Sequence, residues 1–134
     1  MQWTQDTPEY GDMIRVKVKF YHHYGIFSDA DTVIQFGLRD NGNTPPDEIK
    51  VLITDIDTFA GGEFVERAKL DFSEKRKRRT PEDTVKLALS RVGETGYNIL
   101  NNNCEHFATE CVFGEKKSFL DYVRADIRKK LNIK

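Results

Sequence analysis

Cysteine is scarce in this sequence: 134 residues hold two, Cys104 and Cys111. A scaffold stapled by disulfides is excluded. On one helix the two thiols stand about 10.5 Å apart along the axis, beyond the roughly 7 Å between Cα atoms that a disulfide spans. They are read as free thiols, which suits a reducing compartment. Long hydrophobic runs are lacking too, and none approaches the ~20 residues of a membrane-crossing helix. The first residues, Met1-Gln2-Trp3-Thr4-Gln5-Asp6, show no basic stretch leading into an apolar one. No secretory signal is expected, and the chain is read as cytoplasmic. Histidine is limited to His22, His23 and His106, so chemistry that needs a base near neutral pH draws on that set. The spacing Cys104-x-His106-x4-Cys111 matches no common zinc pattern. No metal or cofactor is expected.

The length suits one domain, residues 1–134, with enough chain for a real core. Charged residues make up 32% and hydrophobic ones 38%. The net charge of −1 hides an asymmetry: Met1–Glu74 carries 14 acidic and 7 basic residues, Lys75–Lys134 carries 8 and 14. The basic half reads either as one face of a soluble domain or as a surface for an anionic partner. No nucleic acid is expected.

Ile14, Val16, Val18 and Phe20 alternate with Arg15, Lys17 and Lys19, the period of a half-buried strand. Tyr21–Phe27 continues it in extended form, Ser28–Asp31 turns, and Thr32–Phe36 returns as the second arm of a hairpin. With the turn near Asp29, Gln35 falls opposite residues 23 to 25, so His23 and Gln35 share a face. Residues 1–11 and 37–48 read as loops. Lys50–Thr54 is a short strand, 57–62 breaks the pattern, and Glu63–Ala68 is a further strand. The basic run Lys75–Arg79 reads as a solvated loop. Thr80-Pro81-Glu82-Asp83 opens a helix with a capping threonine, proline in the first turn and acids behind it. Val85, Ala88, Leu89 and Val92 form its stripe, and Gly93 ends it. A second helix runs from Cys104 to about Val112, stopped by Gly114, and a third over about 117–131 carries Phe119, Leu120, Val123, Ile127 and Leu131 on one side.

The chemistry centres on Asn101-Asn102-Asn103-Cys104-Glu105-His106. Asn103 as N-cap makes Cys104 the first helical residue. A thiol there sits in the positive end of the peptide dipoles, which favours thiolate, and the Cys104 amide is placed to hold an oxyanion. His106 lies two residues on and faces another direction, so it is read as supporting structure. His22 and His23 point to opposite faces of their strand. His23, with Gln35 beside it, is the candidate base and is expected to face the Cys104 helix.

The segments Gly11–Val16, His23-Tyr24-Gly25-Ile26-Phe27, Val33–Gly37, Leu87–Glu94, Gly96–Leu100 and Asn102-Asn103-Cys104-Glu105-His106-Phe107-Ala108 resemble the lecithin:retinol acyltransferase-like (LRAT-like) domain family, within the NlpC-type, circularly permuted papain-like superfamily. The resemblance covers about Gly11–Gly114. It implies an α+β fold: a small antiparallel sheet packed against a helix carrying a nucleophilic cysteine. It implies Cys104 as nucleophile, His23 as base and Gln35 as the polar residue orienting the base, with Asn103, His106 and Tyr24 around them. The vertebrate acyltransferases have histidine at the third position, so Gln35 departs from them. A glutamine carbonyl still accepts an imidazole N–H but carries no charge.

The implied chemistry is thioester-based hydrolysis or transfer of lipid acyl groups, as in phospholipases and acyltransferases. A peptidase or amidase, and a non-catalytic module that keeps the fold, are the alternatives. Membrane contact through 75–79 and 116–130 stands beside ordinary packing for the amphipathic helix.

Overall fold

The computed structural model describes residues 1–40 and 44–114. Among these, six strands form one antiparallel sheet, built from β1 (Gln2–Thr4), β2 (Met13–Val18), β3 (Tyr21–Asp29), β4 (Thr32–Phe36), β5 (Val51–Thr54) and β6 (Glu66–Lys69), in the order β1-β6-β2-β3-β4-β5. Four helices accompany it: α1 (Ile56–Ala60), α2 (Phe72–Lys77), α3 (Pro81–Ser90) and α4 (Cys104–Phe113). The α+β class holds. The expected helix over 117–131, and with it the 116–130 surface, lies outside the described residues.

Alternation along the strands divides the core in two. Tyr24, Ile26, Ile34, Phe36 and Val51 face α3 and α4, where Val85, Ala88, Cys104, Phe107, Ala108, Cys111 and Val112 meet them. Ile14, Val16, Val18 and Val33 face α1 through Phe59. Phe107 anchors α4: it is fully buried, edge-on to Phe36 at 6.2 Å, with the Arg91 guanidinium 4.9 Å from its ring centre. Burying such a ring contributes roughly 1.5–3 kcal/mol.

Several expectations are corrected. Residues 2–4, read as loop, form edge strand β1, pinned because Trp3 packs edge-on to Tyr24 at 5.8 Å under the Arg15 guanidinium. The break at 57–62 contains α1, capped by Asp55 on the Thr58 N–H and closed by Gly61 in the left-handed region, φ +56°. The basic run is no loop. Lys75–Lys77 are the last turn of α2, whose Asp71–Glu74 capping box starts it. Arg78 donates to the Gly11 carbonyl and to Thr84 Oγ1. On α3 the buried stripe is Thr84, Val85 and Ala88, while Leu89 and Val92 are exposed. Phe20, read into the β2 alternation, sits fully exposed at the β2–β3 tip.

Candidate active site

α4 starts where the asparagine run predicts. Asn103 Oδ1 accepts the N–H groups of Glu105 and His106, at 3.0 and 3.1 Å. Its Nδ2 donates to the Ile99 carbonyl at 2.8 Å. The box is closed by His106, whose Nδ1 accepts the Asn103 N–H at 3.1 Å. An accepting Nδ1 places the ring proton on Nε2 when the ring is neutral. Asn103 Oδ1 and Nδ2 and His106 Nδ1 thereby fix the helix start. Gly114 ends the helix in the left-handed region.

Three backbone N–H groups act on the Cys104 sulfur: that of Tyr24 on β3, that of Glu105 and its own. The Tyr24 contact has a topological cause. The Phe27 N–H points to Asp12 on the β2 side, so by alternation the N–H groups of Ile26 and Tyr24 point toward β4. The β3–β4 ladder runs only to Gly25↔Gln35. The Tyr24 N–H is the first one past its end, and the thiol takes it. Cys104 thus sits at the fork where β3 and β4 part.

The thiolate expectation is overturned. Burial pushes the Cys104 thiol up to about 11; the Tyr24 N–H opposes this, the Glu105 charge adds to it, and the two helix-start N–H groups again oppose it. Local dipoles lose to desolvation. Cys111 is likewise pushed up, to about 12, chiefly by burial. Both cysteines are free.

The predicted His23–Gln35 contact is present. His23 Nε2 donates to Gln35 Oε1 at 2.6 Å, with both side chains buried. Gln35 pairs with Gly25, two residues from His23 and on the same face. Gln35 Nε2 in turn donates to Thr54 Oγ1 at 2.6 Å, and Thr54 Oγ1 donates to the Asp55 carbonyl at 3.0 Å. This relay fixes which end of the amide faces the imidazole. Thr54 was missed: only the position of β5 beside β4 reveals it.

The relay lies on the α1 face, with the His23 ring 5.4 Å from Phe59. α4 covers the other face, so His23 and Gln35 do not look straight at that helix as expected. The sulfur instead reaches β3 in the sheet plane, beside the residue that follows His23. Burial lowers His23 to about 4; the Gln35 bond opposes this, and the Arg39 charge adds to it. Thiol and imidazole are both neutral near pH 7. Tyr24 contributes its backbone here, while its phenol is raised by burial and then by Glu105.

Gly25 makes room for this arrangement. A Cβ there would meet Phe59 Cε2 at 2.8 Å, the Ile34 carbonyl at 3.2 Å and Val33 Cγ1 at 3.3 Å. Gly25→Ala is expected to cost about 1–3 kcal/mol by overpacking and to displace Phe59 from His23. Urea unfolding measures the first effect, and the His23 ring proton shifts report the second; unchanged values in both would refute it.

Sequence comparison now decides the family. The model for lecithin retinol acyltransferase matches residues 6–117. The chain belongs to the lecithin retinol acyltransferase family. Among curated relatives of that name, the Homo sapiens protein is 30% identical over 143 residues, covering 88% of this chain and 62% of its own length. The Mus musculus protein is 29% identical with the same coverage. The Rattus norvegicus protein is 30% identical over 124 residues, covering 78% of this chain and 54% of its own length. The chain thus spans a little over half to about three fifths of the relatives it matches. The family match takes in Cys104, His23, Gln35 and Thr54 together.

Proposed function

We propose that this member of the lecithin retinol acyltransferase family is a thiol-dependent acyl hydrolase or acyltransferase, working on lipid acyl esters through a Cys104 thioester. The observation that carries the reading is an amide-oriented imidazole, His23, on the strand residue before Tyr24, whose backbone N–H meets the buried Cys104 sulfur. The relatives' name joins lecithin and retinol to acyl transfer, which favours a lipid ester over a peptide.

In this reading His23 Nδ1, the ring nitrogen not committed to Gln35, takes the Cys104 proton as sulfur attacks the ester carbonyl. The imidazolium keeps its Nε2–H on Gln35 Oε1. The Cys104 N–H, which Asn103 leaves uncapped, and the Tyr24 N–H stabilise developing negative charge. Collapse forms the S–acyl bond and breaks the C–O bond, and the leaving alkoxide takes the proton from His23. Water or a second alcohol then gives its proton to His23 as its oxygen bonds the acyl carbon; the C–S bond breaks, and the leaving sulfur takes that proton from His23, restoring the thiol.

Acid-quenching the protein during turnover of phosphatidylcholine vesicles and mapping its peptides by mass tests this. An acyl adduct on the Cys104 peptide is expected. Turnover with the adduct elsewhere, or with none on a rapid-quench time scale, sinks the thioester route.

A further inference from the structure

The thiol is buried, yet two apolar tips at its end of the sheet are exposed, and among the described residues neither packs into a core cluster. The first is the β2–β3 turn. Tight hairpin turns favour Gly or Asn where φ is positive, but here Lys19 holds φ +53°, a conformation that costs a side-chain-bearing residue roughly 1–2 kcal/mol. Next to it Phe20 is 102% exposed, so the ring offsets none of that cost. The second tip is Ile99-Leu100, also exposed. It is not loose: Asn98 and Asn102 exchange backbone hydrogen bonds at 2.9 and 2.8 Å, the Leu100 N–H donates to Asn98 Oδ1, and Asn102 Nδ2 donates to the Gly96 carbonyl. A small braced hairpin thus holds two aliphatic side chains in water, four residues before Cys104.

Both tips belong to the same end of the molecule. Asn103, the cap of α4, is bonded to the Ile99 carbonyl. Tyr97 packs edge-on to Phe36 at 5.2 Å, at the β4 end of the fork. Burial first, and then the Cys104 sulfur, raises the phenols of both Tyr21 and Tyr97, and Tyr97 also feels Tyr21. The β3–β4 register puts Phe36 at the Tyr21 end of β3, so the Phe20–Tyr21 tip and the 97–100 hairpin lie at the end of the sheet where α4 begins. Lys17 and Lys19 stand exposed on the first tip. Arg39 and Asp40, of opposite sign, also act on Tyr21.

We propose that Phe20 and the Ile99-Leu100 hairpin form a docking rim that inserts into an anionic lipid surface and sets the mouth of the Cys104 site against it. An exposed ring beside Lys17 and Lys19, with a second apolar tip at the same end, suits an interface where one side is apolar and the other charged. This rests on the lipid reading of the site and names how its substrate arrives without crossing water.

Sedimentation of the full chain with sucrose-loaded vesicles of phosphatidylcholine and phosphatidylserine, three to one, tests it. Phe20→Asp and Leu100→Asp are each expected to weaken binding about tenfold, within the range for withdrawing one large apolar side chain from a nonpolar phase. Phe72→Asp, at a ring 77% exposed at the start of α2, beyond the opposite end of β6, is expected to bind like wild type, and vesicles of phosphatidylcholine alone are expected to bind less. Circular dichroism confirms that each variant is folded. Wild type that stays in the supernatant, tip variants that sediment normally, or an equal loss with Phe72→Asp each overturns the proposal. Cys104→Ala separates the two readings: it is expected to sediment like wild type, so a failed thioester leaves docking measurable, and failed docking leaves the adduct test intact.

Discussion

Cys104→Ala is expected to bring acyl release down to the uncatalysed rate, and His23→Ala to lower kcat/KM about a thousandfold. The first follows because no other thiol can substitute: Cys111 is buried seven residues along α4, held neutral to about 12. The second follows from the starting state. A thiol raised to about 11 offers little thiolate at pH 7, so attack depends on proton transfer in the same step. General-base transfer supplies roughly 10²–10⁴ in rate, or about 3–5 kcal/mol of barrier. The groups act as one unit, so the double variant is expected to be no slower than Cys104→Ala alone. Full additivity of the two losses would mean His23 acts by another route. The acid limb of kcat/KM carries a second signature. With His23 lowered to about 4, activity is expected to persist below the ordinary histidine range and fall only as that ring takes its proton. Initial rates of fatty-acid release from pH 3.5 to 8, compared with circular dichroism at each pH, measure this. A limb near 6.5 would contradict a buried, neutral base.

What the sequence made legible was local. The Asn103 cap, the Cys104 start and the Gly114 stop are set by residues within one helical turn of each end, and all three are found. The His23–Gln35 contact was legible because one short turn separates their strands and a hairpin register can be counted. Thr54 could not be counted, because the 37–48 segment breaks the chain of register between β4 and β5. Strand β1 was invisible for a related reason: three residues become a strand only by lying beside β6, more than sixty positions away. Helix α1 did leave signals, an Asp55 cap and Gly61, but the aromatic and glycine-rich composition around them outweighed five residues. The protonation of Cys104 divides along the same line. The dipole that favours thiolate is local and readable, whereas the burial that defeats it comes from Tyr24, Phe107 and their neighbours in the assembled core. The Gln35 departure also changes meaning once Thr54 is seen. A neutral amide orients an imidazole only if its two ends are told apart, and Thr54, bonded to the amide nitrogen and donating onward to Asp55, does that.

Acidification from about pH 6.5 to about pH 4 is expected to remove roughly 3 kcal/mol of folding stability through His23 alone. The unfolded histidine takes its proton near 6.5, while the folded one resists until about 4. Between those values the unfolded chain binds more protons than the folded one, so stability rises with pH across the window and is lost as pH falls through it. The size follows from about 1.4 kcal/mol per pH unit of displacement, with both the ring and its Gln35 partner buried. Urea unfolding at pH 4.5 and pH 7, with wild type beside His23→Gln, isolates the contribution. The variant is expected to be less stable at pH 7, having lost the Phe59 packing, but to show a much shallower slope between the two pH values. Equal slopes would place the His23 ring in contact with solvent and remove the basis for a neutral base at pH 7. Other groups also titrate on the acid side. Asp12 is raised, burial outweighing its bond to the Glu9 N–H and the Arg67 charge, so its contribution to the slope runs the opposite way. The comparison with the variant subtracts it. The burial that keeps His23 unprotonated at pH 7 is thus the same burial that makes the fold sensitive to acid, and one substitution is expected to relieve the acid sensitivity while removing the proposed base.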